Sequence, residues 1–258
     1  MEITLKNNAK AETFVAIFQY MRIFSDNVNV IFEENRMYLQ SMDTSRVSIF
    51  EVELQKDWFD KYESSKAVCL GISTSLLYKI LSAREKTQEL NIIYNEEESD
   101  KLSLHFTCDN KTVFDKHFEM PLIDIDEQLM EIPETESHAE LTINSVNFAN
   151  IINQLKMFGD TLDIECSEEK ITLYSNGQET GKMSVEIGID DLNEFSINEG
   201  ANLKLSFSLT CLHNICLYNK ICKEVDIKWI TDFPMQITYK IDEKAKMKFY
   251  LAPKISDD

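Results

Sequence analysis

The stretch FVAIFQYMRIFSDNVNVIFEENRMYL, residues 14–39, returns in altered spelling as FANIINQLKMFGDTLDIECSEEKITL, residues 148–173. A shift of 134 places Phe14, Phe18, Met21, Phe24 and Asp26 on Phe148, Ile152, Leu155, Phe158 and Asp160. Apolar residues three and four apart share one helical face, so each copy opens with an amphipathic helix. The same shift carries Val28, Val30, Phe32, Met37 and Leu39 onto Leu162, Ile164, Cys166, Ile171 and Leu173. Their alternation describes strands with one buried side, so each helix runs into a hairpin.

A second helix recurs at a shift of 135, where Leu77, Ile80 and Leu81 meet Leu212, Ile215 and Cys216. Leu90, Ile92 and Tyr94 then meet Val225, Ile227 and Trp229. Two helices with their following strands at nearly one offset indicate a duplicated α+β domain, residues 1–119 and 138–258. MPLIDIDEQLMEIPETES, residues 120–137, has no counterpart in the repeat; bracketed by Pro121 and Pro133 and rich in acids, it reads as an extended connector. Its Leu122, Ile123, Ile125, Leu129 and Ile132 are too apolar for a free tether and predict that part of it lies against a domain.

The 258 residues, 43% of them hydrophobic, suffice for a substantial core. With 45 Asp and Glu against 26 Lys and Arg the net charge is −19, which disfavours polyanion binding by the surface as a whole and confines any such site to a patch. No basic flank leads into a long apolar run and no window of 18 residues lacks charge, so neither a signal peptide nor a membrane span is expected, and a soluble intracellular protein is.

The six cysteines form no CxxC pair; Cys211, His213, Cys216 and Cys222 match no common zinc spacing and read as small residues of a helix face, so no metal is expected. The six glycines make no GxGxxG or Walker motif, and neither GxSxG nor HExxH is present. Asp124, Asp126 and Glu127 fail as a calcium loop because Leu129 and Thr135 stand where Gly and Glu are needed. A non-enzymatic protein without a cofactor is expected.

Charge is distributed unevenly. The four segments expected as helices, 10–22, 73–86, 144–158 and 208–223, hold eight Lys and Arg against two Glu. They therefore carry +6 of the −19 total, leaving −25 elsewhere. Glu is a good helix former and would ordinarily populate the solvated faces of helices in so acidic a chain. Core packing accounts for their apolar faces; local polyanion binding also accounts for the missing acids. Asn144, Asn147, Asn150, Asn153 and Gln154 offer hydrogen bonds to phosphate without sequence readout.

LQSMDTSRVSIFEVEL at 39–54, DIDEQLMEIPE at 124–134, the Gly159–Asp160 turn and FYLAPKI at 249–255 resemble the sliding clamps of DNA replication, the proliferating cell nuclear antigen family, and the likeness runs the length of the chain. It implies two similar clamp-type domains per subunit and three subunits joined head to tail. Helices would line a ring around double-stranded DNA, with sheets outside. Lys10, Arg22, Lys79, Arg84, Asn150, Lys156, Lys220 and Lys223 are then the DNA-facing residues.

The resemblance also implies a pocket for a partner peptide at Met42, Arg46, Val47, Ile49, Leu129, Ile132, Pro234, Tyr250, Leu251, Ala252 and Pro253. The subunit seam would join an edge strand near Thr112–Phe118, with Phe114 and Phe118, to one near Lys182–Gly188, with Lys182, Ser184 and Glu186. Implied partners are DNA polymerase, other proteins bearing the clamp-interacting peptide motif, and a separate clamp loader; the implied setting is the nucleus, or a viral replication compartment. A checkpoint-type or heterotrimeric clamp subunit is the alternative role.

Departures from the family pattern stand at Arg46, where cellular clamps commonly have His, and at Glu168, where many eukaryotic clamps have the lysine modified by ubiquitin and SUMO. Asn150, Thr210 and Leu217 are uncharged where basic residues are frequent, and the connector has an extra residue around Met130 and Glu131.

Overall fold

Among the described residues the duplication extends to every α-helix and β-strand. The computed structural model describes residues 1–109 and 113–254; Thr112 and Ile255, named above, lie outside the described residues. The first half runs β1 (Glu2–Leu5), α1 (Asn8–Met21), β2 (Asn27–Phe32), β3 (Arg36–Met42), β4 (Ser48–Gln55), β5 (Lys61–Glu63), β6 (Val68–Ser73), α2 (Thr74–Leu81), β7 (Glu89–Ile93), β8 (Lys101–Thr107) and β9 (Lys116–Pro121). The second half repeats the order as β10 (Ala139–Asn144), α3 (Ser145–Leu155), β11 (Thr161–Cys166), β12 (Lys170–Gly177), β13 (Gly181–Gly188), β14 (Glu194–Ile197), β15 (Leu203–Ser208), α4 (Leu209–Cys216), β16 (Glu224–Trp229), β17 (Met235–Asp242) and β18 (Ala245–Leu251).

Strand order repeats as well. β5-β1-β7-β8-β9 corresponds to β14-β10-β16-β17-β18, and β6-β2-β3-β4 to β15-β11-β12-β13. The register keeps apolar partners opposite each other: Ile3 faces Ile92 and Leu5 faces Leu90, as Leu141 faces Ile227 and Ile143 faces Val225. The repeated apolar positions are buried in both halves, Phe14, Phe18, Leu77 and Ile80 like Phe148, Ile152, Leu212 and Ile215. Tyr94 is half-buried where its counterpart Trp229 is 2% exposed.

Two compact units result: Met1–Thr44, Glu51–Met130 and Asp242–Lys246 form the first, and Ser45–Phe50, Glu131–Ile241 and Met247–Asp258 the second. The expected boundaries shift accordingly. β9 runs to Pro121, because Lys101 pairs with it, so the connector begins two residues later than expected and divides at Met130. Each unit contains a stretch of the antiparallel β4·β18 ladder. In the first, the Gln55 N–H donates to Lys244 O (2.8 Å); in the second, the Ala252 N–H donates to Val47 O (2.9 Å).

α2, α3 and α4 are shorter than the expected segments, whereas α1 begins two residues before its expected start and ends one residue before its expected end. Side-chain oxygens cap their starts: Asn7 accepts from Ala9 and Lys10, Asn144 from Val146 and Asn147, Ser73 from Leu76 and Ser208 from Cys211. Their ends tighten into i to i−3 bonds, Ala83 to Ile80 and Arg84 to Leu81 in one case, Met157 to Gln154 and Phe158 to Leu155 in another. Arg84 and Lys86 therefore lie beyond α2, and Lys220 and Lys223 beyond α4. Among the described residues no helix is long and apolar enough to cross a membrane.

The connector is docked on the first unit as its apolar residues suggested. The Ile123 N–H donates to Gly71 O (2.8 Å) and Asn29 Nδ2 to Ile125 O (3.1 Å). Gln40 Nε2 donates to Met130 O (3.0 Å) while its Oε1 accepts from the Met130 N–H (2.7 Å), so one amide side chain serves that residue as a neighbouring strand would. Gly71 is required for this approach, since a Cβ there would stand 2.0 Å from Ile123 O. Gly71→Ala is expected to cost about 1–3 kcal/mol in denaturant unfolding. It should also speed amide exchange at Ile123 while exchange at Leu90 in β7 stays at the wild-type rate after correction for global stability.

Candidate nucleic-acid interface

In each unit the two helices lie side by side, and the residues that fill the core leave an opposite face in solvent. On α1 that face exposes Ala9 and Glu12; on α2 it exposes Ser75 and Lys79. The expected cations differ in availability. Lys10 is half-buried, its Nζ donating to Trp58 O (2.6 Å) and standing 5.9 Å from the indole centroid. Arg22 is exposed, stacked 4.6 Å over the Tyr78 ring with Nε donating to Gln19 O (3.0 Å). Stacking leaves it displayed beside α2.

Arg84 has turned inward. It donates to Asn8 Oδ1 (2.7 Å) at the start of α1 and to the carbonyls of Glu85 and Gln88, and burial lowers its pKa from the ordinary arginine value. It staples the turn after α2 to the start of α1. Lys86 pairs with Glu12 at 3.4 Å.

In the second unit α3 exposes Val146, Asn147, Asn150, Asn153 and Gln154, a face without charge, and Met157 is exposed just past its end. Lys156 is the half-buried C-cap residue of α3. Lys220 and Lys223 are exposed. His213, absent from the residues expected here, joins this face: its Nδ1 lies 2.6 Å from Asn153 Oδ1. A lone histidine in an amphipathic segment matches no motif; its phase with Thr210 and Leu217 was the available signal. Cys216 and Cys222 are buried, and burial pushes the Cys216 thiol up to about 12, as befits a hydrophobic filler.

The residues expected to receive a partner peptide divide between surface and core. In the second unit Val47 is 37% exposed, Arg46 adopts a left-handed φ of 59°, Pro234 and Ala252 are exposed, and Ile132, Ile49, Tyr250 and Pro253 are half-buried. Leu251 is wholly buried and belongs to the core. Phe233, 43% exposed beside Pro234, was not anticipated. In the first unit Leu129 is 50% exposed and Met42 half-buried. The tail after β18 is tied down in the second unit by the Lys254 N–H to Ser206 O (2.8 Å) and its Nζ to Thr161 Oγ1 (2.6 Å).

β9 and β13 are outer strands in the described sheets, at the places expected for a seam. Phe114 is 84% exposed just before β9, and Phe118 is half-buried. On β13 Lys182 lies 4.3 Å over the Tyr174 ring, Ser184 is exposed, and Glu186 pairs with Lys170 at 2.9 Å. Glu168 accepts from the Gly200 N–H (2.7 Å) and so holds a turn.

Family models for the N-terminal and C-terminal domains of proliferating cell nuclear antigen match residues 2–129 and 131–254. Proliferating cell nuclear antigen 2 of Drosophila melanogaster is 27% identical over 224 residues, 87% of each chain. The crystal structure of proliferating cellular nuclear antigen from Entamoeba histolytica aligns over 98% of both chains with a TM-score of 0.87 at 24% identity, a likeness of fold.

The environments of Arg84 and Lys79 predict opposite outcomes in urea unfolding. Arg84→Ala strands the carbonyl and amide acceptors it serves and should lower stability by about 1–3 kcal/mol. Lys79→Ala should stay within about 0.5 kcal/mol of wild type, as for an exposed site.

Proposed function

Because the chain belongs to the proliferating cell nuclear antigen family of sliding clamps, which serve DNA replication and repair, we propose that three copies close head to tail around duplex DNA. The ring acts in the nucleus as a processivity factor for DNA polymerase and as a docking platform. The observation that carries this reading is a pair of open edges. β9 and β13 end their sheets, whereas their repeat counterparts β18 and β4 are hydrogen-bonded neighbours. The chain therefore already contains the kind of pairing that its open edges lack, and β9 of one copy meeting β13 of the next supplies it. Open edges with unpaired N–H and C=O groups are otherwise a liability. Exposed Phe114 beside β9 is the apolar side chain such a seam would cover.

The acid-poor faces of the four helices are the surface that meets DNA. Retention comes from topology, since a closed ring leaves a duplex only by opening or at an end. Phosphate contacts then need only be weak and salt-dependent, which permits sliding while the tether raises the local concentration of a bound polymerase. Opening falls to a separate ATP-driven loader, in keeping with the missing nucleotide motif. Partner peptides anchor an apolar plug at the surface formed by residues such as Val47 and Pro234.

Light scattering at micromolar concentration is expected to give three times the 30.0 kDa chain mass, and Phe114→Glu to shift the population toward monomer. Loaded protein should stay on nicked circular DNA and be lost when that DNA is cut. A strictly monomeric wild type that leaves circles and linear molecules at equal rates would overturn the reading.

A further inference from the structure

The imidazole of His213 reaches from α4 to α3 on the solvent side of the pair. Nδ1 lies 2.6 Å from Asn153 Oδ1. An amide oxygen accepts, so Nδ1 carries the hydrogen and Nε2 remains the basic nitrogen. Asn153 is exposed and His213 half-buried, while Ile152, Leu155, Leu212 and Ile215 of the same helices fill the core. Burial first, and the charge of Lys156 second, hold this histidine below its ordinary pKa. The ring is therefore neutral at neutral pH in the free protein.

No Asp or Glu occurs at 144–158 or 208–223, so neither helix presents a carboxylate to the ring. The charged groups on the two segments are Lys156 beside it and, farther along its own, Lys220 and Lys223. A phosphodiester brought to this face supplies the negative charge that both segments lack. It would offset the repulsion from Lys156 and favour the imidazolium.

Resting on the reading that these helices face DNA, we propose that His213 is a titratable phosphate contact, neutral in the free clamp and charged when a DNA phosphate lies against it. The proton comes from solvent to Nε2, which then donates to a phosphate oxygen. Nδ1–H stays on Asn153, which fixes the ring's orientation. DNA engagement thereby takes up protons, and the grip tightens as pH falls. In sign, a group whose pKa is higher in the complex than in the free protein binds more protons there, so affinity rises with acidity across that interval.

The test is the affinity of the full-length protein for a fluorescent 30-base-pair duplex, by anisotropy at ~50 mM salt, at pH 8 and pH 6. Wild type is expected to bind about 3- to 10-fold tighter at pH 6, the upper bound being one unit of pKa rise at a single His213 contact. His213→Gln keeps an amide able to meet Asn153 but cannot titrate, and should lose most of that gain. Calorimetry at pH 7 in buffers of different ionisation enthalpy should show proton uptake in wild type that falls in the variant. His105, His117 and His138 are present in both proteins, so their contributions cancel in the comparison.

If His213→Gln keeps the full wild-type pH gain while Lys79→Ala weakens binding, the helices face DNA and the role of His213 is overturned. If wild type binds at neither pH, or Lys79→Ala and Lys220→Ala leave binding unchanged, the reading beneath the proposal falls with it.

Discussion

One backbone hydrogen bond, made twice, sets the two helices of each unit in place. The carbonyl of Asp26, in the turn after α1, accepts from the Thr74 N–H at the start of α2 (2.9 Å), and the carbonyl of Asp160 accepts from the Leu209 N–H at the start of α4 (3.0 Å). The first amides of a helix have no partner within it, and both acceptors meet a fully buried residue where water could not serve. In the first unit the Thr74 hydroxyl adds a bond to Ser25 O (2.7 Å). With the exit of one helix joined to the entry of the other, their apolar faces turn to the same core and their opposite faces share one surface.

That shared surface is defined more by missing acids than by abundant bases. Lys10 is committed to Trp58 O, Arg84 to Asn8 and two carbonyls, and Lys86 to Glu12. Exposed Arg22 and Lys79 remain in the first unit; neutral amides dominate α3. A surface that does not repel phosphate, with few cations, gives contacts that salt dissolves readily. If the hold on DNA is the topological one proposed, such weakness serves movement. A strongly basic wall would exchange sliding for residence.

The strand edges and the connector show the chain satisfying main-chain groups by different means. Where β4 and β18 run together, backbone pairs with backbone. Where the connector crosses the first unit, Gln40 supplies both donor and acceptor to Met130, and Gly71 lets the main chain approach without a side chain between. At the outer edges of β9 and β13 neither device is present among the described residues, and the proposed ring assembly would give those edges their purpose.

The sequence by itself determined the duplicated α+β architecture, because burial imposes a period of 3.6 on helices and 2 on strands, and both periods survive wherever substitution keeps an apolar residue apolar. It also determined the charge bias of the helices, which is a matter of composition. The tertiary structure alone decided where each helix stops, since Arg84 and Lys223 sit in segments whose pattern continues past the last helical bond. It alone decided which cations are spent internally. Lys10 meets Trp58 48 residues away, Arg84 meets Asn8 76 away and His213 meets Asn153 60 away. Local periodicity records which side of an element is buried; a hydrogen bond between distant residues depends on where the whole fold brings them.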